Sequence, residues 1–295
     1  MKNRLKQRIS LILLGMAKKI SQKLAILGLG KLGSIILQGF LDRKLISCNQ
    51  IQATVAHSSK TVELSAKFGI PVSTDNYSAA AEAQILFLCV KPQTVLKVCE
   101  EIRPSLHSGH LIVSVAASVP TSLIENILKI EVPVVRAMPN TPCQVGSGMT
   151  GICAGQFANA EHTGLVEYLF SSVGRTAIVE EKDMDAVTGL SGSGPAFIYV
   201  IIESLIEAGL QAGLKRDVAS LLAAQTVRGA AEIVLKSGEH PATLKDRVAT
   251  PGGCTIEGLK ELEEGQLEKT LINAVAKTIQ KAGKLLPPDQ SESGS

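Results

Sequence analysis

One hexapeptide, Gly28-Leu29-Gly30-Lys31-Leu32-Gly33, constrains the fold of this chain more than any other stretch of it. It follows an apolar run, Lys23 to Leu27, and opens a helical pattern, the strand–turn–helix setting in which a G-x-G-x-x-G sequence carries meaning. The first glycine allows the tight turn, the second lets backbone come up to a pyrophosphate, and the third seats the helix close against the strand. Phosphate is then held at the helix N-terminus, where unpaired N–H groups and the dipole favour an anion. Gly28, Leu29, Gly30, Lys31, Leu32 and Gly33 are therefore expected to bind a dinucleotide, with a plain turn as the competing reading.

The chain around this motif alternates. Strand-like runs fall at Lys23 to Leu27, Gln52 to Ala56, Gln84 to Val90, Leu111 to Val115 and Pro133 to Ala137, with helical segments between them. Continuous apolar runs such as Ile85-Leu86-Phe87-Leu88-Cys89-Val90 suit strands covered on both faces. The pattern predicts a doubly wound, Rossmann-type α/β dinucleotide-binding domain over residues 22–182. From 183 to 288 the pattern is helical only, with segments from Pro195 through Ile206, Asp217 to Lys236, Thr243 to Val248, Thr255 to Glu263 and Leu267 to Lys284. Several are apolar on more than one face, as in Ala196-Phe197-Ile198-Tyr199-Val200-Ile201-Ile202, so this all-α domain is expected to bury them in a subunit interface. Residues 289–295 read as a disordered tail and 1–21 as an N-terminal extension.

Composition narrows the partners. Six Phe, three Tyr and no Trp among 295 residues leave little for stacking on bases or sugars, and a net charge of +3 calls for no polyanion. Nucleic acid is therefore not expected as a partner. The cysteines at 48, 89, 99, 143, 153 and 254 never form C-x-x-C and mostly sit in apolar runs. That reads as buried free thiols in a reducing compartment, with no metal site and no disulfide frame. The longest uncharged apolar stretch, Pro195 to Ile202, is too short to span a bilayer, so no membrane is expected. Lys2, Arg4, Lys6 and Arg8 ahead of Ile9 to Gly15 resemble the beginning of a signal peptide. Lys18-Lys19 stand where a small-residue cleavage site belongs, however, and Met16 offers a later start. A cytoplasmic protein is expected.

The end of the second strand bears on which dinucleotide binds. An acid there would hold the 2′-hydroxyl of NAD, but this chain has Val55-Ala56-His57-Ser58-Ser59-Lys60. Hydroxyls, a helix start and a lysine suit a 2′-phosphate, which favours NADPH, with NADH as the alternative. Ser58 and Ser59 can equally cap the next helix, which does not restore the missing acid. Val90-Lys91-Pro92 and Val115-Ala116-Ala117-Ser118 follow two further strands, at the edge where ligands of open α/β sheets lie. Met138-Pro139-Asn140-Thr141-Pro142 is a rigid loop after another strand, placed to form a floor for the nicotinamide.

Two glycine-rich segments mark the helical half, Leu190-Ser191-Gly192-Ser193-Gly194-Pro195-Ala196 and Thr250-Pro251-Gly252-Gly253-Cys254-Thr255. Each sets backbone N–H groups at a helix start, as plain helix capping or as a seat for a small carboxylate. Together with Gly28 to Gly33, Val90-Lys91-Pro92, Met138 to Pro142 and Asp185 to Ala196, in this order over residues 23 to 284, they resemble the pyrroline-5-carboxylate reductase family. The motifs Asp185 to Ala196 and Pro251 to Thr255 are specific to that family, whereas Gly28 to Gly33 is shared by many dehydrogenases.

The resemblance implies reduction of the C=N bond of 1-pyrroline-5-carboxylate by NAD(P)H to give L-proline, the last step of proline biosynthesis. It implies a homodimer joined through the helical domain, within a ring of dimers. By motif matching, Gly253, Cys254 and Thr255 would hold the substrate carboxylate, and Thr255 would hydrogen-bond the ring nitrogen with Thr250 nearby. Cys89, Val90, Lys91, Pro92, Val115, Ala116 and Ala117 would line the cofactor, Asn76 would approach its adenosine and Ser58 its 2′-phosphate. Cys254 and Thr250 stand where the family often has Ala or Thr and Ser, respectively. An imine takes its proton from solution, so the lack of a His or paired-carboxylate constellation is consistent, and positioning would carry the catalysis. All five histidines lie outside the shared motifs and read as surface or loop residues.

Two other functions compete. A β-hydroxyacid dehydrogenase would need a lysine base on the helical domain, and neither Lys236 nor Lys245 sits in a helix that opens on a glycine-rich segment like the two above. A dinucleotide-binding redox sensor would have no use for a second anion site at Thr250 to Thr255.

Overall fold

In the computed structural model, which describes residues 20–284, the chain divides into two compact units. One runs to Gly192 and takes in the chain from Ala282; the other is Ser193–Lys281. The leader reading of residues 1–19 and the tail reading of 289–295 fall outside the described residues.

The first unit is built on one eight-stranded sheet. Its strands are β1 (Leu24–Leu27), β2 (Ile51–Thr54), β3 (Val72–Ser73), β4 (Ile85–Leu88), β5 (Leu111–Ser114), β6 (Val134–Met138), β7 (Gly148–Ala154) and β8 (Gly174–Ile178). They lie in the order β3-β2-β1-β4-β5-β6-β7-β8, every neighbouring pair parallel except β6 with β7. The helices are α1 (Lys31–Asp42), α2 (Thr61–Phe68), α3 (Asn76–Ala81), α4 (Pro92–Ile102), α5 (Thr121–Leu128) and α6 (Ala160–Phe170).

Alternation along the strands explains the two layers of helices. In β1, Leu24 and Ile26 join one core with Phe40, Phe87 and Phe170, while Ala25 and Leu27 join another with Leu86, Ile112 and Ile124. Every residue of β1, β4 and β5 is buried, as the continuous apolar runs require. Half of the six Phe thus meet in one place: Phe40 packs edge-on against Phe87 at 5.6 Å, and Phe170 lies 6.1 Å from Phe87.

Three strands escape the sequence reading. β3 is only two residues long, and β7 and β8 open on glycine and carry Met, Thr and Arg where an apolar run would have betrayed them. The antiparallel step from β6 to β7 is made by a 3-10 turn, Thr141–Val145. One histidine also departs from expectation. His110 is only 3% exposed, its Nδ1 facing the His107 N–H at 3.1 Å and its Nε2 the Ala80 carbonyl at 3.3 Å. The chain reverses between His107 and His110, and that turn tucks the ring beneath α3. The six thiols are all free, but Cys48 and Cys254 are exposed, and Cys89 is half-buried.

From Glu181 the described chain is helical almost throughout. A short α7 (Met184–Val187) passes into a π-helical turn, Thr188–Gly192, which ends the first unit. The second unit holds α8 (Gly194–Gln211), α9 (Arg216–Ser237), α10 (Pro241–Val248), α11 (Cys254–Glu264) and α12 (Leu267–Ala282), the last crossing back at its end. Only Ala219 and Ala223 are buried within it, while Tyr199, Val200, Leu221, Leu235 and Ile272 stand more than half exposed. Glu181–Gln211 and Arg216–Ser237 are, by length and composition, long and apolar enough to cross a membrane, because scattered charges interrupt an apolar run without making the helix polar.

Candidate active site

Strand order reverses between β1 and β4, the switch point at which open α/β sheets bind ligands beyond the strand ends. The loops leaving these two strands touch. Gly28 has φ +97°, and a Cβ on it would lie 2.7 Å from Val90 Cγ1 and 3.0 Å from the Cys89 carbonyl carbon. A Cβ at Gly33 would come within 2.8 Å of the Gly28 oxygen, so the third glycine lets α1 pack onto the turn. At Gly30 a Cβ would meet nothing within 4 Å, which leaves the cradle open in front of the helix. α1 starts there with no side-chain cap and no acid in its first turn, so its leading N–H groups are free for an anion. These features fit a dinucleotide pyrophosphate.

Not every residue of the motif faces outward. Leu29 is buried and gives its N–H to the Thr54 carbonyl at 2.7 Å, and the Gly30 N–H turns back to the Gly28 oxygen at 2.8 Å. Those two amides build the loop, whereas Lys31 is exposed beside the open side.

Thr54, the last residue of β2, is a member of this site that sequence reasoning missed. Its buried hydroxyl donates to Asn76 Oδ1 at 2.6 Å and accepts the Gly28 N–H at 3.3 Å. Asn76 is thereby tied to the glycine loop, and its Nδ2 reaches Glu101 at 3.0 Å. The available signal was a lone hydroxyl closing a buried strand. Ser58 lies on an exposed 3-10 turn, Ser58–Lys60, with Ser59 and Lys60 equally exposed and no side-chain cap at its start.

Beyond β4 and β5 the parallel register continues into the loops. Cys89 donates its N–H to Leu27 at 2.8 Å and Val115 its N–H to Leu88 at 3.1 Å. Burial pushes the Cys89 thiol up to about 12, so it is no nucleophile. Lys91 is exposed just before Pro92, which opens α4. Val115 and Ala116 are buried, Ala117 is half-buried, and Ser118 follows with φ +63°. A cleft of about 360 Å³ opens elsewhere, along α1 near Gln38, Asp42, Arg43 and Gln144, and none of the residues expected in the site line it.

Asn140, in the rigid loop after β6, accepts the Met149 N–H at 2.9 Å and donates to the Ser191 carbonyl at 3.1 Å. It therefore fastens that loop to the π-helical turn, which occupies part of the first glycine-rich segment. Turns of this kind recur at functional sites.

In the second unit, Thr250-Pro251-Gly252-Gly253 forms a tight turn closed by the Gly253 N–H on the Thr250 carbonyl at 2.9 Å. Gly252 has φ +75°, the left-handed conformation that a Pro-Gly turn asks of its third residue. A Cβ on Gly253 would meet Thr250 Oγ1 at 2.6 Å, so the Thr250 hydroxyl sits over the helix start. α11 begins at Cys254 without a side-chain cap, with Thr255 half-buried in its first turn. The geometry brings Thr250, Gly253, Cys254 and Thr255 together around unsatisfied backbone donors.

A doubly wound sheet with an open glycine cradle at its switch point defines a dinucleotide-binding protein of the class to which NAD(P)-dependent oxidoreductases belong. Residues 23–118 match the family model "NADP oxidoreductase coenzyme F420-dependent", and residues 181–285 match "Pyrroline-5-carboxylate reductase dimerisation". The pyrroline-5-carboxylate reductase of Methanosarcina acetivorans is 41% identical over 265 residues, covering 90% of this chain and 98% of that protein. Among solved structures, the reductase of Coxiella burnetii superimposes with TM-score 0.84 at 34% identity, over 91% of this chain and 100% of the other. The Plasmodium falciparum enzyme with NADP bound gives 0.82 at 33% identity, over 90% and 98%. The chain belongs to the pyrroline-5-carboxylate reductase family.

Proposed function

We infer that this protein is an NAD(P)H-dependent oxidoreductase that reduces the C=N bond of 1-pyrroline-5-carboxylate to L-proline. Family membership supports the reaction, and the observation that carries it into this chain is the uncapped start of α11 at Gly253, overlaid by Thr250 and followed by Thr255. Bound NAD(P)H supplies the hydride that adds to the imine carbon.

The chain's own task is to hold the imine. The backbone from Gly253 to Thr255 holds the carboxylate through the N–H groups that the turn leaves unpaired at the start of α11, Thr255 hydrogen-bonds the ring nitrogen, and Thr250 stands beside it. The nitrogen takes its proton from solution, so no buried acid is needed and orientation supplies the acceleration. On the cofactor side, Gly28 to Gly33 hold the pyrophosphate and Asn76 faces the adenosine. Cys89 to Pro92 and Val115 to Ala117 line the rest. Ser58 and Lys60, with no acid at the end of β2, favour the 2′-phosphate and hence NADPH over NADH.

In this reading residues 22–182 serve the cofactor and 183–288 serve substrate and dimer formation. The exposed apolar faces of α8 and α9, which lie in the stretch that matches the dimerisation model, support burial against a second copy, within a ring of dimers. Free buried thiols support a cytoplasmic location.

Following NADPH absorbance with pyrroline-5-carboxylate, with a hydroxyacid plus NADP, and with neither substrate tests the assignment. Oxidation with the imine alone is expected. Turnover of the hydroxyacid would move the protein to the β-hydroxyacid class, and no turnover at all would leave it a dinucleotide-binding sensor.

A further inference from the structure

The helix after the loop that leaves β5 begins without local help. α5 has Pro120 at its N-cap, and proline carries no side-chain acceptor for the first-turn N–H groups. The acceptor comes from sixty residues further along the chain. Glu181 Oε2 takes the Thr121 N–H at 3.2 Å and the Thr121 hydroxyl at 3.0 Å. Its other oxygen takes Arg136 Nη1 at 2.5 Å, and the Cys153 thiol donates to Oε2 at 3.3 Å. Burial works to raise the Glu181 pKa, but the Arg136 charge and these hydrogen bonds outweigh it and hold the carboxyl below its ordinary value.

Stability alone accounts poorly for this arrangement. Arg136 is only 3% exposed, yet its Nε and Nη2 have no hydrogen-bond partner. A buried guanidinium that uses so few of its donors is a weak stabiliser compared with an apolar side chain of the same size. The loop between β5 and α5 is strained as well. Ser118 sits at φ +63° with its hydroxyl buried and unpartnered. Such a conformation persists only where the surroundings over-determine it. One end of the loop is held by Val115 on Leu88, and the other by Thr121 on Glu181.

We propose that Glu181 is a positioning residue for the cofactor: by capping α5 it fixes the loop from Val115 to Pro120 against the nicotinamide half of the bound dinucleotide. The inference rests on the cofactor reading above. With the pyrophosphate over β1 and the adenosine over β2, the β4–β5 side of the switch point is left to the other half of the molecule.

NADPH titration by fluorescence tests this in two double variants of the full chain, neither of which leaves a buried charge unpaired. Arg136→Met with Glu181→Met removes the cap and should raise the Kd for NADPH about tenfold, the worth of a charge-assisted hydrogen bond. Arg136→Met with Glu181→Gln keeps an amide oxygen for Thr121 and should stay within about twofold of wild type. In the first variant the KM for NADPH should rise while turnover at saturating NADPH and the KM for the imine hold, a split that loose packing would not produce. Equal Kd values in the two variants, or a parallel fall in turnover, would overturn the proposal. Should the Met pair fail to fold, Thr121→Val and Thr121→Ser decide: a weaker affinity in Val restored by Ser supports it, and equal affinities reject it. Wild-type NADPH binding and imine turnover test the functional assignment separately.

Discussion

The hydroxyl of Thr54 donates to Asn76 Oδ1 across 2.6 Å and accepts the Gly28 N–H on its other side. One strand-final side chain thus links the glycine turn to the residue expected at the adenosine. Thr54→Val keeps the shape and removes both bonds, so it should cost about 1 kcal/mol of stability. It should also weaken NADPH binding by freeing Asn76. Chemical denaturation and a fluorescence titration measure the two effects, and unchanged NADPH affinity would detach Asn76 from the cofactor.

Ser58 is exposed on a turn with Lys60 and no acid. Placing a carboxylate there, Ser58→Glu, sets like charges against a 2′-phosphate but offers the 2′-hydroxyl of NADH an acceptor. The KM for NADPH should rise about tenfold more than that for NADH, a difference of about 1.4 kcal/mol. Steady-state kinetics with both cofactors decide the matter, and equal effects would remove Ser58 from the 2′-phosphate site.

Thr255 lies in the first turn of α11, beside the Thr250 hydroxyl that covers Gly253. Thr255→Ala should lower turnover of the imine about tenfold, the loss of one hydrogen bond to the reacting ring, with little change in the Kd for NADPH. Wild-type turnover in this variant would exclude Thr255 from the chemistry.

Burial holds the His110 pKa below its ordinary value, against the opposing effect of the backbone hydrogen bonds around the ring. The folded state therefore favours the neutral ring. Its contribution to stability is complete above the unfolded pKa of about 6.5 and is lost as pH falls through that value toward the depressed folded one. Denaturation midpoints of the wild type should drop as pH falls below the unfolded value of about 6.5, and those of His110→Gln should drop less. Parallel behaviour of the two proteins would assign the acid sensitivity to other groups.

Much of the site was legible because its chemistry is local. A G-x-G-x-x-G after an apolar strand, a Pro-Gly pair before a helix and uninterrupted apolar runs each state their backbone conformation within a few residues. The glycine cradle and the tight turn at Thr250 to Gly253 follow from such signals. The three strands that were missed carry glycine and polar residues, and they exist because a neighbouring strand supplies their hydrogen bonds. His110 was misjudged because polarity argues for the surface, whereas two backbone groups satisfy both of its ring nitrogens.

By itself, then, the sequence determined the order of the five apolar strands and of the helices after them, the buried faces of the central strands and the two places where backbone amides stand ready for anions. Only the tertiary structure decided which side chains hold those places in shape. Thr54 reaches Asn76 over 22 residues, Arg136 reaches Glu181 over 45 and Thr121 reaches Glu181 over 60. Strand order and register set these meetings, and neither leaves a periodic trace in the chain. The apolar surface of the last helices is a matter for a larger assembly still, since a helix records that it must be covered and not by what.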